Sequence, residues 1–163
     1  MSALRSFSFF VVFAMAAVFP VLAGEKKDDK IAFEVYAKGH FVKNTVKLEA
    51  NPTFGVIQDK KTFDQYFGIG VVMGGKPKLV DDKVFESNVV VTVIKSGSTL
   101  WKYEVEQVTR VRDRLVVKYA ASGKESPSAT FNSPLIFSVP RGDFAEVMFI
   151  ENGKEIGKTI LKK

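Results

Sequence analysis

The sequence contains no cysteine and a single histidine, His40, among its 163 residues. It therefore has no disulfide, no thiolate nucleophile, no cysteine-based zinc site and no site that requires two histidines. No serine lies in a Gly-x-Ser-x-Gly context, so the nucleophile elbow of the α/β-hydrolases is also absent. Because these are the usual side chains of hydrolytic and metal-dependent enzymes, we predict a protein that is not an enzyme and needs neither a metal nor a cofactor.

Acidic residues are fewer than basic ones, 18 against 24, which gives a formal net charge of +6 at pH 7. The basic residues are spread along the chain and are not concentrated on one face with interleaved aromatic residues, so we expect no nucleic-acid partner. The hydrophobic share of 46% and the length are those of one compact domain.

The first 23 residues have the layout of a secretory signal peptide. Arg5 precedes an apolar stretch from Phe7 to Val18, and the small residues Val21 and Ala23 stand at the third and first positions before Gly24. The apolar stretch is shorter than the roughly 20 residues that a membrane-spanning helix needs. We therefore expect cleavage after Ala23, export to the periplasm or the extracellular space of a bacterium, and no transmembrane span after processing.

The rest of the chain divides into two segments. Residues 24–30 are mostly charged and are interpreted as a flexible N-terminus. Residues 31–163 are interpreted as a single β-rich domain, because apolar and polar residues alternate in most of this segment. The predicted fold is mainly β, an antiparallel sandwich or a strongly twisted sheet with one short α-helix. That helix is predicted from Lys60 to Phe67, with Asp59 as its N-cap.

Turn signals predict how several strands are connected. Segments 31–35 and 41–48 are expected to form a first hairpin. Asn152-Gly153 is typical of a type I′ turn and predicts a closing hairpin. Segment 135–139 lies between two prolines, which predicts an edge strand or a short strand.

A glycine-rich loop is predicted from Gly68 to Lys78, and its length makes it the best candidate for a binding surface. Its hydrophobic residues stand between residues that break regular structure. They either pack back onto the core or form an apolar patch that a partner would cover. The candidates for binding a partner are Ile69, Val71, Val72, Met73, Gly74 and Gly75.

Other polar and aromatic residues have two interpretations each. Arg110, Arg112 and Arg114 recur at every second position and are candidates for an anion-binding stripe, or else they form a solvated hairpin end. His40 follows a glycine and is expected in a turn or on the surface. Trp101 alternates with other apolar residues and is expected in the core, although a lone tryptophan can also stack on a ligand.

Several segments, taken in order, resemble the PrcB C-terminal-like family of small secreted bacterial domains. The resemblance implies a secreted β-rich domain without catalytic activity that is a partner or stabiliser of a protease. The matching segments are Phe54-Gly55-Val56-Ile57, Thr62-Phe63-Asp64-Gln65-Tyr66-Phe67, Asn88-Val89-Val90-Val91-Thr92-Val93, Leu115-Val116-Val117-Lys118-Tyr119 and Ser133-Pro134-Leu135-Ile136-Phe137-Ser138-Val139-Pro140.

A second resemblance points to another class of function. Asn51-Pro52-Thr53-Phe54-Gly55 is similar to a loop of the chagasin-like inhibitors of cysteine proteases, and Gly74-Gly75 is similar to their glycine loop. The favoured function is that of an exported, non-catalytic domain that binds a protein, either associated with a protease or accessory to the cell envelope. The alternatives are a cysteine-protease inhibitor and an envelope hydrolase. The oligomeric state is not set by the sequence.

Overall fold

The computed structural model describes residues 29–36, 38–71 and 76–161. The predicted signal peptide and most of the predicted flexible N-terminus lie outside this part of the chain. Within the described residues the two helices are α1 (Lys60–Tyr66) and α2 (Val84–Ser87). The strands are β1 (Asp29–Lys30), β2 (Glu34–Val35), β3 (His40–Val42), β4 (Thr53–Ile57), β5 (Phe67–Ile69), β6 (Asn88–Gly97), β7 (Thr99–Val111), β8 (Arg114–Glu125), β9 (Phe131–Pro140), β10 (Glu146–Glu151) and β11 (Lys154–Ile160).

The described strands form three sheets. The first has the order β1-β7-β8-β10-β11, the second has the order β2-β9-β6-β4, and the small third sheet pairs β3 with β5. Neighbouring strands are antiparallel except β8 and β10, which run parallel because β9 lies between them in sequence and belongs to the second sheet. The mainly β fold class is thus confirmed, with a second short helix that was not expected.

The two large sheets pack face to face around a first hydrophobic cluster. Strands β6 and β9 of the second sheet contribute alternate residues to it, and β7, β8 and β10 of the first sheet contribute the facing residues. Phe54 of β4 stacks on Phe149 of β10 at a centroid distance of 4.4 Å, which links the outer strand of the second sheet to the first sheet. This cluster is the core of a β-sandwich.

A second hydrophobic cluster covers the other face of the second sheet. Val90 and Ile94 of β6 point into it, and Phe63 of α1 and Phe85 of α2 pack over them. Strand β6 is therefore buried on both faces, which explains why residues 89–94 are apolar except for Thr92 and lack the alternation of a half-exposed strand.

Helix α1 begins where the sequence predicts it. The Asp59 side chain accepts hydrogen bonds from the backbone N–H and the hydroxyl group of Thr62, each at 2.8 Å, and so caps the first turn. The chain continues directly from the helix into β5, since Phe67 is both the C-cap of α1 and the first residue of that strand. The predicted loop from Gly68 to Lys78 is therefore wrong at its start, where Gly68 and Ile69 are paired with β3.

The predicted first hairpin is wrong because its two segments find different partners. Strand β2 pairs with β9 in the second sheet, and β3 pairs with β5. Asp29 and Lys30, within the segment expected to be flexible, pair with Arg110 and Thr109 of β7. Local alternation does not distinguish a hairpin from two short strands that join separate sheets.

Strand β9 is a full-length inner strand and not the short or edge strand that its prolines predict. It pairs with β6 over ten residues, from Phe131 to Pro140. The Ile136 carbonyl accepts the Tyr36 N–H, so the backbone groups of the even-numbered residues of β9 face β2. Pro134 and Pro140 are also even-numbered, and neither stands opposite the two residues of β2. The N–H groups that these prolines lack would therefore have formed no hydrogen bond with a neighbouring strand.

The closing hairpin is confirmed. Asn152 and Gly153 have φ values of 49° and 80°, as a type I′ turn requires, and they connect β10 to β11. The Asn152 side chain also bonds to the backbone N–H and C=O of Ala121, each at 3.0 Å, which ties the turn to β8.

Candidate functional site: a groove along strand β9

A groove follows the first half of β9, and we call it the β9 groove. It consists of two adjoining cavities of about 410 and 390 Å³ that share Trp101 and Pro134. The first cavity lies between β3 and β9, and the second lies between β9 and the first residues of β7. Besides the shared pair, the first is lined by Tyr36, His40, Phe41, Val42, Asn44, Leu100, Thr130, Phe131, Asn132 and Ser133 and the second by Val35, Lys38, Lys102, Tyr103, Leu135 and Ile136.

Trp101 is the fixed aromatic element of the groove. The Lys95 ammonium nitrogen lies 3.8 Å from the centroid of its ring and is paired with a Glu151 carboxylate oxygen at 2.6 Å. The Trp101 backbone N–H donates to Ser133 Oγ at 3.1 Å, which connects β7 to β9 at this point. Both the ring and its backbone are therefore held in place. Half-buried Trp101 lines the groove and belongs to neither hydrophobic cluster, so the core position expected for it is wrong.

Two tyrosines lie next to Trp101 in the sandwich. Tyr103 donates its hydroxyl hydrogen to the Ser133 carbonyl at 3.0 Å, and its ring meets that of Tyr119 edge-on. Burial, and then the negative charge of Glu151, raises the pKa of both phenols far above their ordinary value. Both hydroxyl groups are therefore protonated at neutral pH, and the Tyr103 hydroxyl holds β7 to β9.

Two large apolar side chains at the first cavity face solvent. Phe41 is 48% exposed and Leu100 is 45% exposed. Phe41 lies across Gly68 of the neighbouring strand, where an added Cβ would come within 2.5 Å of the phenyl ring. The absence of a side chain at Gly68 thus gives Phe41 its position, and exposed apolar surface beside a cavity is typical of a site that a partner covers.

The described residues at the start of the predicted binding loop lie beside this surface. Ile69 of β5 is 67% exposed and Val71 is fully exposed, so neither packs back onto the core. Ile69 stands opposite His40 in the small sheet, and Gly70 donates its N–H to the Gly39 carbonyl. The other four candidates, Val72, Met73, Gly74 and Gly75, lie outside the described residues.

Positive charge is concentrated at the second cavity. Lys38 and Lys102 line it together with apolar side chains, and none of its described lining residues is acidic. Glu34 of β2 precedes Val35, which lines this cavity, and the Glu34 carboxylate is paired with Lys78. The cavity can therefore accept an apolar group with a negative charge next to it.

His40 is a structural residue of β3 and not a residue of a surface turn. Its Nε2 accepts the backbone N–H of Val80 at 3.1 Å, and its ring meets Phe63 edge-on at 5.1 Å. Burial is the main cause that lowers the pKa of His40, and the charge of Lys60 adds to it against the opposing effect of the Gly68 carbonyl. The neutral ring is thus favoured, and Nε2, the nitrogen that would accept a proton, already accepts the Val80 N–H.

The predicted arginine stripe is not formed. Val111 ends β7 and Arg114 begins β8, so Arg112 lies in the turn between them, with a φ of 60°. The Arg110 guanidinium donates to the backbone carbonyls of Arg112 and Asp143, both at 2.9 Å. Arg114 is paired with Glu146 at 2.6 Å. Two of the three guanidinium groups therefore hold the protein's own chain, and the three do not line one face.

The segment that resembles an inhibitor loop is part of a sheet. Thr53, Phe54 and Gly55 lie in β4 and pair with β6, and Phe54 is packed on Phe149. The Asn51 side chain bonds to both the N–H and the C=O of Ser96. Residues 51–55 are therefore not presented as a free loop.

The groove was not predicted, although the sequence of β7 contains one feature that relates to it. In β7 the side chains of Leu100, Lys102, Glu104 and Glu106 face solvent, while those between them face inward. Leu100 is the one apolar residue in the polar phase of this alternation. A single exposed apolar residue is common on protein surfaces, so Leu100 becomes informative only together with Phe41. The position of Phe41 depends on the pairing of β3 with β5.

Comparisons with protein-family models, curated proteins and solved structures find no match for this chain. The resemblances to the PrcB C-terminal-like family and to chagasin-like inhibitors therefore stay predictions. Within residues 29–36, 38–71 and 76–161, no three His, Cys, Asp or Glu residues are grouped to hold a metal ion. A helix long and apolar enough to span a membrane is not found in that part of the chain.

Proposed function

We propose that this chain is an exported, non-catalytic binding protein that holds a polypeptide segment in the β9 groove. The observation that carries the proposal is the pairing of a fixed aromatic platform, Trp101, with the exposed side chains of Phe41 and Leu100 around adjoining cavities. Interface centres of this kind, with aromatic and apolar anchors beside a pocket, contribute most of the binding free energy between proteins.

Binding is favoured over catalysis by the state of the polar groups near the groove. Nε2 of the sole histidine is occupied by the Val80 N–H, and the Tyr103 hydroxyl is bonded to Ser133. The Lys95–Glu151 pair is engaged under Trp101. These contacts engage His40, Tyr103 and the Lys95–Glu151 pair within the protein, which supports a role in binding.

A protease or a protease subunit is the partner that the PrcB-like resemblance suggests, and a cell-envelope protein is the other. The inhibitor alternative receives less support, because residues 53–55 belong to β4. Export follows from the layout of residues 1–23, which lie outside the described residues. N-terminal sequencing of protein from the native host should begin at Gly24, and an intact Met1 in the cytoplasm would reject export.

The binding proposal is tested by selecting short peptides from a random display library on the mature chain. Leu100→Asp and Phe41→Ser should each weaken the selected peptides by about tenfold or more, because both place a polar group in the contact surface. Val111→Asp is the matched control, since Val111 is 38% exposed at the far end of the same strand. Thermal unfolding of each variant separates loss of binding from loss of folding.

Three outcomes decide the test. Loss of binding in the two groove variants but not in Val111→Asp supports the proposal. Equal loss in all three variants, or peptides that bind all three as tightly as the parent chain, places binding elsewhere and rejects the groove. A library that yields no binder rejects peptide binding itself.

A further inference from the structure

Strand β7 has one long side without a neighbouring strand. Along its other side it pairs with β8 from Thr99 to Val111. On the outer side, β1 pairs only with Thr109 and Arg110, and the Ile31 N–H donates to the Val108 carbonyl. From residue 100 to residue 107, no strand among the described residues pairs with this outer side.

The direction of two hydrogen bonds shows which backbone groups point outward. The Trp101 N–H reaches Ser133 and the Val108 carbonyl accepts from Ile31, so both residues present their backbone groups away from β8. The period of two places Tyr103 and Val105 on the same side, and the register shift between residues 105 and 107 restores the outward direction at residue 108. The edge therefore offers outward N–H and C=O groups at residues 103 and 105.

The outward edge of β7 borders the second cavity of the β9 groove. Trp101 and Tyr103 line this cavity from β7, and Pro134 and Ile136 line it from β9. Of these two walls only β7 can pair in a continuous ladder, because Pro134 has no N–H and the Ile136 carbonyl already accepts from Tyr36. An incoming strand would thus pair with β7 and lie against β9.

We propose that the polypeptide segment held by this protein adds to the edge of β7 as an extra β-strand. One of its apolar side chains enters the second cavity, and a carboxylate next to it lies near Lys38 and Lys102. Main-chain hydrogen bonds supply affinity in this mode of recognition, and pockets for alternate side chains supply selectivity. The inference rests on the proposed function and names the chemistry of the partner, an extended segment that combines apolar and acidic residues.

The surroundings of the edge favour such a segment over a second copy of this chain. β9 lies opposite the β7 edge and is bonded to it where the Trp101 N–H meets Ser133 Oγ, so a whole second sheet would have to approach past this neighbouring strand. The exposed charges of β7, at Lys102, Glu104 and Glu106, also act against edge-to-edge association of whole domains.

The test uses a peptide selected on the full mature chain and shown by Leu100→Asp to bind in the groove. Synthetic versions carry one N-methyl group at each position in turn, which removes a single N–H. Pairing with β7 predicts that affinity falls about three- to tenfold at every second position and stays unchanged at the positions between. Uniform insensitivity to N-methylation would overturn strand addition while leaving the binding proposal intact.

A charge reversal gives an independent measurement. Lys102→Glu should weaken an acidic peptide by about tenfold and should shift a new selection toward basic peptides. Lys154→Glu is the control, because Lys154 is an exposed lysine on β11. Equal effects of the two variants would reject an acidic partner at the second cavity. Light scattering of the unliganded chain is expected to show a monomer, and a dimer that Tyr103→Pro dissociates would assign the edge to a second copy instead.

Discussion

The two faces of strand β6 pack against layers of different construction, one made of long strands and the other of short elements. Val89, Val91 and Val93 meet the first sheet, and each partner strand on that side is held in a long register. Val90 and Ile94 meet a layer made of α1, α2 and the small sheet, whose elements are short. The sandwich is therefore the continuous framework, whereas the second layer depends on aromatic packing to stay in place. The β9 groove lies where the two meet.

The largest loss of stability is expected from a substitution in the core of the sandwich. Phe137→Ala removes a fully buried phenyl ring from the first cluster and should lower the free energy of unfolding by about 3–5 kcal/mol. Urea denaturation monitored by tryptophan fluorescence measures the change, since Trp101 is the only tryptophan. If the alanine variant does not fold, Phe137→Leu should show a smaller loss in the same direction. A loss below about 1 kcal/mol would show that this face is not the framework.

A smaller and more local effect is expected in the second layer. Phe63→Ala removes the same group from an equally buried position, where it contacts His40, Phe67 and Phe85. Because short elements can open without the sandwich, we expect a loss of about 2–3 kcal/mol. Hydrogen exchange should accelerate in α1, β3 and β5 and stay unchanged in β7 and β8. Equal acceleration in both sets of strands would remove the distinction between the two layers.

The sequence predicted those elements whose signals are local. Asp59 caps α1 through bonds to Thr62, three residues away, and Asn152-Gly153 forms its turn from its own backbone preference. The fold class followed from alternation over many residues. The first hairpin was wrong because β2 and β3 are too short to specify a partner, and β9 was misplaced because the effect of a proline depends on which side of the strand lacks a neighbour.

The groove could not be predicted because its residues come together only through tertiary pairing. Phe41 becomes exposed beside a cavity since β3 pairs with β5 and Gly68 lies under its ring. Trp101 reaches the groove because the hairpin from β6 to β7 changes sheets at this point. Ile69 and Val71 are exposed, which is one of the two alternatives that the sequence left open, but neither residue lines the groove. The arginine stripe was wrong because a turn interrupts the alternation that defined it.

The smallest change in the free energy of unfolding is expected from pH, through the titration of His40 in the second layer. His40 accepts the Val80 N–H, and it can do so only when Nε2 is unprotonated. Burial lowers the pKa of His40 in the folded protein below that of the unfolded chain. The unfolded state therefore binds the proton more readily as the pH falls below about 6.5, and the free energy of unfolding should decline slightly from about pH 7.5 to about pH 5.5. It should reach its full value above the unfolded-state pKa.

His40→Gln decides whether this decline belongs to His40. Glutamine keeps an acceptor for the Val80 N–H but does not titrate, so the variant should show a flat free energy of unfolding between about pH 7.5 and about pH 5.5. No other imidazole is present in the sequence to replace it. Hydrogen exchange at low pH should locate the loss in β3 and β5, with Val80 exchanging first, while β7 and β8 keep their protection. A decline that persists in His40→Gln, or one that spreads evenly over both layers, would mean that the second layer does not respond to pH as a separate unit.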